Sequence, residues 1–147
     1  MKRKLTFLSV TAAVALLAIG TTAMANHSKT QKHYKAKLQA REEVPSPKDS
    51  SARAGGKFTA TLDGSSLSWK LEFHHLTGSA TAAHIHLGKK GKAGPVIVPL
   101  CGPCSSGATG TVKVSSKVAS QLDHNQAYVN VHTAKNPGGE IRGQLGR

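Results

Sequence analysis

Strict alternation of apolar and polar side chains is the feature that most constrains the fold of this chain. The clearest case is LSWKLEF at residues 67–73, where every odd position is apolar and every even position is polar. Successive side chains of an extended strand point to opposite faces, so a period of two predicts a strand with one buried face. An amphipathic helix would need a period near 3.6, which this segment lacks.

Seven further short segments have alternating or apolar character, and turn residues such as glycine, proline, asparagine and aspartate separate them. They are residues 35–42, 57–63, 80–87, 95–100, 110–114, 127–133 and 139–145. Short strands with regular turn signals are typical of antiparallel sandwiches and barrels. The sequence therefore predicts an all-β fold, an antiparallel Greek-key β-sandwich or barrel with a single core.

Two segments depart from simple alternation. The run PVIVPL at 95–100 is continuously apolar and is interpreted as a strand covered on both faces. The segment SKVASQLDHN at 116–125 favours a short helix, with Ser116 as the candidate N-cap.

The first 25 residues are typical of a secretory signal peptide. Three cations precede a mostly apolar run, and an Ala-Met-Ala cleavage site ends at Ala25. We expect cleavage after Ala25, the alternative being an uncleaved anchor, followed by a flexible segment over 26–33 and a folded domain over 34–147. No later apolar run approaches the roughly 18 residues that a span needs, so no transmembrane segment is expected after cleavage. The mature protein is expected in the periplasm or outside the cell.

Net charge narrows the class of partner. The chain carries +13, and cleavage would leave +10. Such a balance is compatible with an anionic partner, but a solvated surface is the favoured interpretation, because the cations are scattered and only Lys89, Lys90 and Lys92 form a tight cluster. Few aromatic residues and expected export argue against nucleic acid. The expected partner is a protein or an anionic component of the cell envelope, neither identified further.

The two cysteines, Cys101 and Cys104, form a Cys-x-x-Cys pair. Export implies an oxidising compartment, which favours a structural disulfide. A structural zinc site needs about four ligands, and a redox pair usually lies at a helix N-terminus, whereas Ser-Ser-Gly follows here and indicates a turn. We therefore predict a disulfide between them.

Three histidines are the candidate metal ligands. His84 and His86 are separated by one residue, so they share one face of a strand. His132 shares a face of a later strand with Tyr128 and Asn130. If the two strands are neighbours in register, three imidazoles converge, and three histidines with an open position are typical of zinc or copper sites.

The alternative is that these histidines only brace the strand ends by hydrogen bonds. Tyr128 and Glu140 are candidate fourth-ligand or supporting groups, because ligating imidazoles often bond a carboxylate or carbonyl. Each also has a simpler interpretation: Tyr128 is a half-buried core aromatic residue, and Glu140 is a surface ion-pair partner. No pattern indicates catalytic residues, since Gly-x-Ser-x-Gly and a Walker loop are both missing from the sequence.

The remaining histidines are expected outside the site. His74 and His75 are adjacent and should face opposite ways on a strand. His27, His33 and His124 stand in polar surroundings and are expected to be solvent-exposed.

The segments AAHIHLGKKGKAGPVIVPL and AYVNVHTAKNPGGEIRGQL closely resemble the signature of CHRD domains, the module named after chordin. The resemblance covers residues 34–146 and implies an immunoglobulin-like or superoxide-dismutase-like β-sandwich. It implies little about activity. Chordin carries the module beside other domains in an inhibitor of bone morphogenetic proteins, whereas a solitary exported copy indicates a bacterial protein, so that role does not carry over.

The three histidines also resemble those of copper/zinc superoxide dismutases, which place His-x-His on one strand and another histidine at the end of a later one. The chain has no equivalent of the zinc loop of those enzymes. The likeness therefore implies a mononuclear metal site and gives little support to dismutase chemistry.

Three functions follow as hypotheses. The first is an exported, non-catalytic binding or structural module. The second is a copper- or zinc-binding protein that uses His84, His86 and His132. The third is a metal-dependent redox enzyme.

Overall fold

The computed structural model describes residues 30–147. Its strands are β1 (Lys32–Gln39), β2 (Gly55–Asp63), β3 (Ser66–His74), β4 (Ala80–Leu87), β5 (Val96–Cys101), β6 (Ala108–Lys113), β7 (Ala127–Thr133) and β8 (Ile141–Gln144). One helix, α1, spans Ser116–Asp123, and a 3-10 turn spans Ala40–Glu42. The predicted signal peptide, its predicted cleavage site and His27 lie outside the described residues.

The all-β prediction is confirmed, because each of the eight predicted segments overlaps one strand and every strand pair is antiparallel. Strand β1 begins at Lys32, so residues 32 and 33 belong to the sheet and not to the flexible segment. The helix is capped by Ser115, whose side chain accepts from the Val118 amide at 3.3 Å. The proposed cap, Ser116, is wrong by one residue because it is already helical.

The sheet order is β5-β4-β7-β8-β1-β2-β3-β6, and it divides into two groups of four strands. The groups join where β8 meets β1, through the single registered pair Gln39–Arg142 and an isolated bridge between Lys35 and Gly146. Ile85 of β4 lies beside Phe58 of β2 and other core residues of β1, β3 and α1. The two groups therefore enclose one core, as in a sandwich or barrel.

Alternation in β3 fills that core as predicted. Leu67 and Leu71 are fully buried and Trp69 nearly so, while the polar residues between them face outward. The Trp69 ring stacks near Phe58 of β2, with ring centroids 6.5 Å apart. Burying each such side chain contributes about 1.5–3 kcal/mol, which fixes the register because a one-residue slip would expose all of them.

Strand β5 differs from its prediction. It is an edge strand, paired only with β4 among the described strands. Val98 is buried, whereas Pro99 is exposed and Val96 is 47% exposed, so the interpretation as a strand covered on both faces is wrong. A proline lacks the amide hydrogen that a central strand needs, which restricts the segment to an edge.

The loop after β5 is closed by the disulfide predicted from the sequence. Cys101 and Cys104 are paired, with Cα atoms 5.3 Å apart. The Cys104 amide also donates to the Ala80 carbonyl at 3.1 Å, which ties this loop to the start of β4. Neither cysteine contributes to a metal cluster in the part of the chain described here.

Candidate metal centre

Strands β4 and β7 are neighbours, as the histidine hypothesis requires. Their register pairs Ala82 with His132, His84 with Asn130, and His86 with Tyr128. The alternate residues of both strands, including Ala83, Ile85, Val129 and Val131, are fully buried in the core. Because side chains alternate along a strand, the apolar residues anchor the backbone and direct the histidines to the opposite face.

The three imidazoles meet on that face. One ring nitrogen from each of His84, His86 and His132 lies within 4.8 Å of the other two. The closest pair is His84 Nδ1 and His132 Nε2, at 3.0 Å. His86 and His132 are buried and His84 is partly exposed, so the cluster has one side open to solvent.

Backbone carbonyls determine which nitrogen of two of the rings faces the cluster. His86 Nδ1 donates to the Gly94 carbonyl at 2.8 Å, and His132 Nδ1 donates to the Pro137 carbonyl at 2.9 Å. A carbonyl oxygen can only accept, so each Nδ1 carries the proton and each Nε2 carries a lone pair. His86 Nε2 is buried and has no hydrogen-bond partner within residues 30–147.

The surroundings favour neutral imidazoles. Burial lowers the pKa of His84, and positive charge on His132 or His86 would lower it further. Burial also lowers the pKa of His132, although its hydrogen bond to the Pro137 carbonyl opposes this, and the neighbouring His86 adds to the lowering. A metal ligand must be unprotonated, so these shifts keep both rings ready to bind at neutral pH.

The Tyr128 ring packs against one face of the His86 imidazole. The two rings stack with centroids 5.0 Å apart and an angle of 16° between their planes. The Tyr128 hydroxyl accepts from the Gly94 amide at 3.2 Å, the same residue whose carbonyl binds His86. Tyr128 is therefore a buried supporting residue, and its contacts fix the orientation of one imidazole.

Arg142, which was not among the site residues predicted from the sequence, lies behind Tyr128. Its guanidinium carbon lies 3.4 Å from the centre of the Tyr128 ring. Its Nη2 donates to the carbonyls of Lys89 and Lys92, at 3.1 and 2.8 Å. Arg142 thus anchors the loop at residues 88–94, which provides the carbonyl for His86. No local sequence signal marks this role, because it depends on contacts about fifty residues apart.

Glu140 lies elsewhere. It is fully buried, so the interpretation as a surface ion-pair partner is wrong. Its carboxylate accepts from the Thr77 amide and hydroxyl and from the Thr133 and Ser50 hydroxyls, and from none of the three histidines. Burial alone would raise the pKa of Glu140, but these hydrogen bonds hold it below its usual value. The supporting acceptors of the cluster are carbonyls instead.

The other described histidines stay outside the cluster. His33 and His124 are exposed, as predicted. The prediction that His74 and His75 face opposite ways is wrong, since their Nδ1 atoms lie 2.9 Å apart. His75 follows the end of β3 with φ at 55°, so strand alternation does not apply to it.

Comparison with known proteins gives a single positive result. The family model described as the CHRD domain matches residues 34–145, which includes all three histidines of the cluster. No curated protein and no solved structure gives a significant match. Within residues 30–147, no helix has the length and apolar character needed to cross a membrane.

Proposed function

The chain belongs to the CHRD family, and from that premise we propose that it is an exported, non-catalytic binding module that holds a copper or zinc ion through His84, His86 and His132. Its compartment is the periplasm or the extracellular space. The observation that carries the proposal is the buried Nε2 of His86, which has no hydrogen-bond partner among residues 30–147 and lies in a cluster of three imidazoles. An unsatisfied buried acceptor costs about 1–3 kcal/mol, and a metal bond would remove that cost.

The geometry fits such an ion. A tetrahedral centre with bonds of about 2.0–2.1 Å places its ligand nitrogens about 3.4 Å apart. The closest pair in the cluster is separated by 3.0 Å, and the whole set lies within 4.8 Å. Small rotations of the side chains would reach the bonded geometry. His84 Nδ1 and the Nε2 atoms of His86 and His132 would be the ligands, with the fourth position open toward solvent.

Two alternatives to a metal-binding module are a purely structural histidine cluster and a metal-dependent redox enzyme. A purely structural cluster is supported by the hydrogen bond between His84 and His132. A metal-dependent redox enzyme gains no support from Glu140, because that predicted fourth ligand or supporting group accepts from the Thr77 and Thr133 hydroxyls and from none of the three histidines. Neither of these explains why His86 Nε2 is buried without a partner.

Metal content tests the proposal directly. Purified mature protein is stripped with a chelator, exposed to copper or zinc, dialysed and measured by plasma mass spectrometry. We expect about one ion per chain in the wild type and well below that in His86→Ala and His132→Ala. His33→Ala is the matched control, because His33 is exposed and its one side-chain hydrogen bond within residues 30–147 is to Thr61.

Equal metal content in the wild type and all three alanine variants would overturn the proposal. The histidines would then be a structural cluster held by hydrogen bonds. Circular dichroism shows whether each variant is folded, and His86→Gln supplies a second, polar replacement. The metal-loaded protein is also tested for turnover of superoxide and peroxide. Activity that is lost in His86→Ala would show that the protein is a redox enzyme and not a non-catalytic module.

A further inference from the structure

The sheet face that carries the histidine cluster continues across β7 and β8 as a row of buried polar residues. His84 of β4 is directly opposite Asn130 of β7, and Asn130 is directly opposite Arg142 of β8. Directly opposite residues of an antiparallel pair point to the same face. Asn130 and Arg142 are both only 1% exposed. The fold therefore holds a charged guanidinium beneath its surface, on the same face as a metal ligand.

The positive charge of Arg142 has no acidic group in direct contact with it. Its Nη2 donates to two carbonyls of the loop at residues 88–94, and carbonyls carry no net charge. Its Nη1 is buried without a hydrogen-bond partner, and none of the ion pairs in the described part of the chain includes Arg142. A charge in a poorly screened interior is costly unless an opposite charge lies near it.

Glu43 supplies the opposite charge. It directly follows the 3-10 turn at Ala40–Glu42 and is 3% exposed. Burial raises the pKa of Glu43, and the positive charge of Arg142 is one of the interactions that oppose this rise. Its Oε1 accepts from the Val44 amide at 3.0 Å, whereas its Oε2 is buried and has no hydrogen-bond partner within residues 30–147.

Gly139 lets the Glu43 carboxylate reach the row. A β carbon at Gly139 would overlap that carboxylate and would lie 2.8 Å from Asn130 Nδ2. The φ of Gly139 is also +132°, a conformation that favours glycine. The carboxylate and the Asn130 amide thus come together beside the start of β8, next to the residue that is opposite Arg142.

The same charge bears on the metal centre through the loop at residues 88–94. Arg142 holds the carbonyls of Lys89 and Lys92 in this loop. The Gly94 carbonyl of the loop binds the proton on His86 Nδ1, which leaves the lone pair on Nε2. A displaced Arg142 would release the loop, and His86 would lose the contact that selects its tautomer.

We propose that Glu43 is a positioning residue of the metal centre. Its charge keeps Arg142 buried, Arg142 holds the loop, and the loop keeps the proton on His86 Nδ1. The inference rests on the proposed function for its effect on metal affinity, whereas its effect on the His86 proton applies to the metal-free protein as well.

Zinc affinity is the first measurement, made on the mature protein by competition with a chelating dye. Glu43→Gln keeps the size of the side chain and removes its charge, so it should raise the dissociation constant about tenfold. Glu43→Asp keeps the charge and should recover most of that loss. Glu42→Gln is the matched control, because Glu42 pairs with Lys90 at the surface at 3.4 Å, and it should change affinity less than about twofold.

The His86 tautomer is the second measurement, made by long-range proton–nitrogen NMR on the metal-free protein. The wild type and Glu42→Gln should carry the proton on Nδ1, whereas Glu43→Gln should show a mixture of both tautomers. Circular dichroism confirms that each variant is folded. A residue that only stabilises the fold would leave the tautomer of the folded protein unchanged.

A double-mutant cycle tests the step from Glu43 to Arg142. Arg142→Gln should weaken zinc binding, and adding Glu43→Gln should cause no further loss, because the counter-charge matters only while Arg142 is present. Additive losses would overturn this step.

The proposal fails if Glu43→Gln keeps the wild-type affinity and tautomer, or if Glu42→Gln has an equal effect. A wild type that binds neither copper nor zinc would refute the proposed function instead. The tautomer comparison would then decide the role of Glu43 by itself.

Discussion

At the scale of single residues, the histidine cluster depends on how each imidazole proton is held. Gly94 and Pro137 each offer a carbonyl that binds one Nδ1. The remaining proton lies between His84 and His132, whose facing nitrogens are 3.0 Å apart. An arriving cation would displace only that proton, so binding requires little rearrangement and releases few protons near neutral pH.

The depressed pKa values of His84 and His132 predict how the metal-free protein responds to acid. In the unfolded chain both imidazoles return to their ordinary pKa of 6.5, so it takes up protons that the folded protein does not. The free energy of unfolding should therefore decrease as the pH is lowered from about 7 to about 5. Urea unfolding in the presence of a chelator, at several pH values, measures this fall.

The matched variant for that experiment is His84→Gln/His132→Gln. Burial raises the pKa of Glu43, which contributes in the opposite direction, so the comparison between proteins isolates the histidines. The variant should lose less stability than the wild type over the same range. An identical slope in both proteins would contradict this account.

The residues of the cluster could be predicted from the sequence, but most of their supporting contacts could not. Strand parity alone places His84, His86 and His132 on the faces where the structure has them. The carbonyl partners depend on the paths of two loops, which alternation does not describe. For the same reason Arg142 was missed and Glu140 was assigned to surroundings that it does not have.

At the scale of elements, helix α1 is joined to β1 and the C-terminal segment by one carboxylate. Asp123 accepts from Lys32, from the Tyr34 hydroxyl at 2.6 Å and from Arg147 at 2.7 Å. Burial alone would raise the pKa of Asp123, but these donors lower it to about 2. Burial, with the adjacent carboxylate, raises the pKa of Tyr34 to about 12.

We expect Asp123→Asn to lower the free energy of unfolding by about 1–3 kcal/mol, because the amide cannot replace all of these charged hydrogen bonds. The contribution of Asp123 is present above its ordinary pKa of 3.8 and is lost as the pH falls through about 2. Urea unfolding at pH 7 measures the loss. Asp63→Asn is the control and should change stability by less than about 0.5 kcal/mol, and equal effects would refute the role of Asp123.

The positions of the strands along the chain were easier to predict than which strands lie side by side in the sheet. Local alternation was enough to locate β3 and β7, since the period of two is visible within seven residues. The place of β5 at an edge depends on which strands lie beside it, and these are distant in the chain. Pro99 carried a signal for the edge that the apolar character of the run obscured.

At the scale of the whole molecule, the histidine cluster and the exposed residues Lys35, Lys37 and Lys57 lie in different halves of the fold. The histidines come from β4 and β7, whereas these lysines lie on β1 and β2. The sequence indicated an excess of positive charge, but it could not show which of the cations lie side by side on the surface. Only the register of β1 against β2 brings Lys37 and Lys57 together.

Metal binding should stabilise the whole domain, because the ligands come together only in the folded state. A free metal concentration of 100 times the dissociation constant adds about 2.7 kcal/mol to the free energy of unfolding. For a domain of this size, that corresponds to a rise in Tm of about 10 °C. Differential scanning calorimetry measures the rise with zinc present and absent. His132→Ala should show almost none of it, and a full rise in that variant would place the ion elsewhere.

The proline in β5 also bears on how copies of the protein behave when crowded. A flat outer strand offers a free row of amide and carbonyl groups on which another chain can assemble. Pro99 interrupts that row by removing one donor, and two register shifts between β4 and β5 distort it further. An incoming strand would meet a gap, so this border of the molecule resists stacking into fibres.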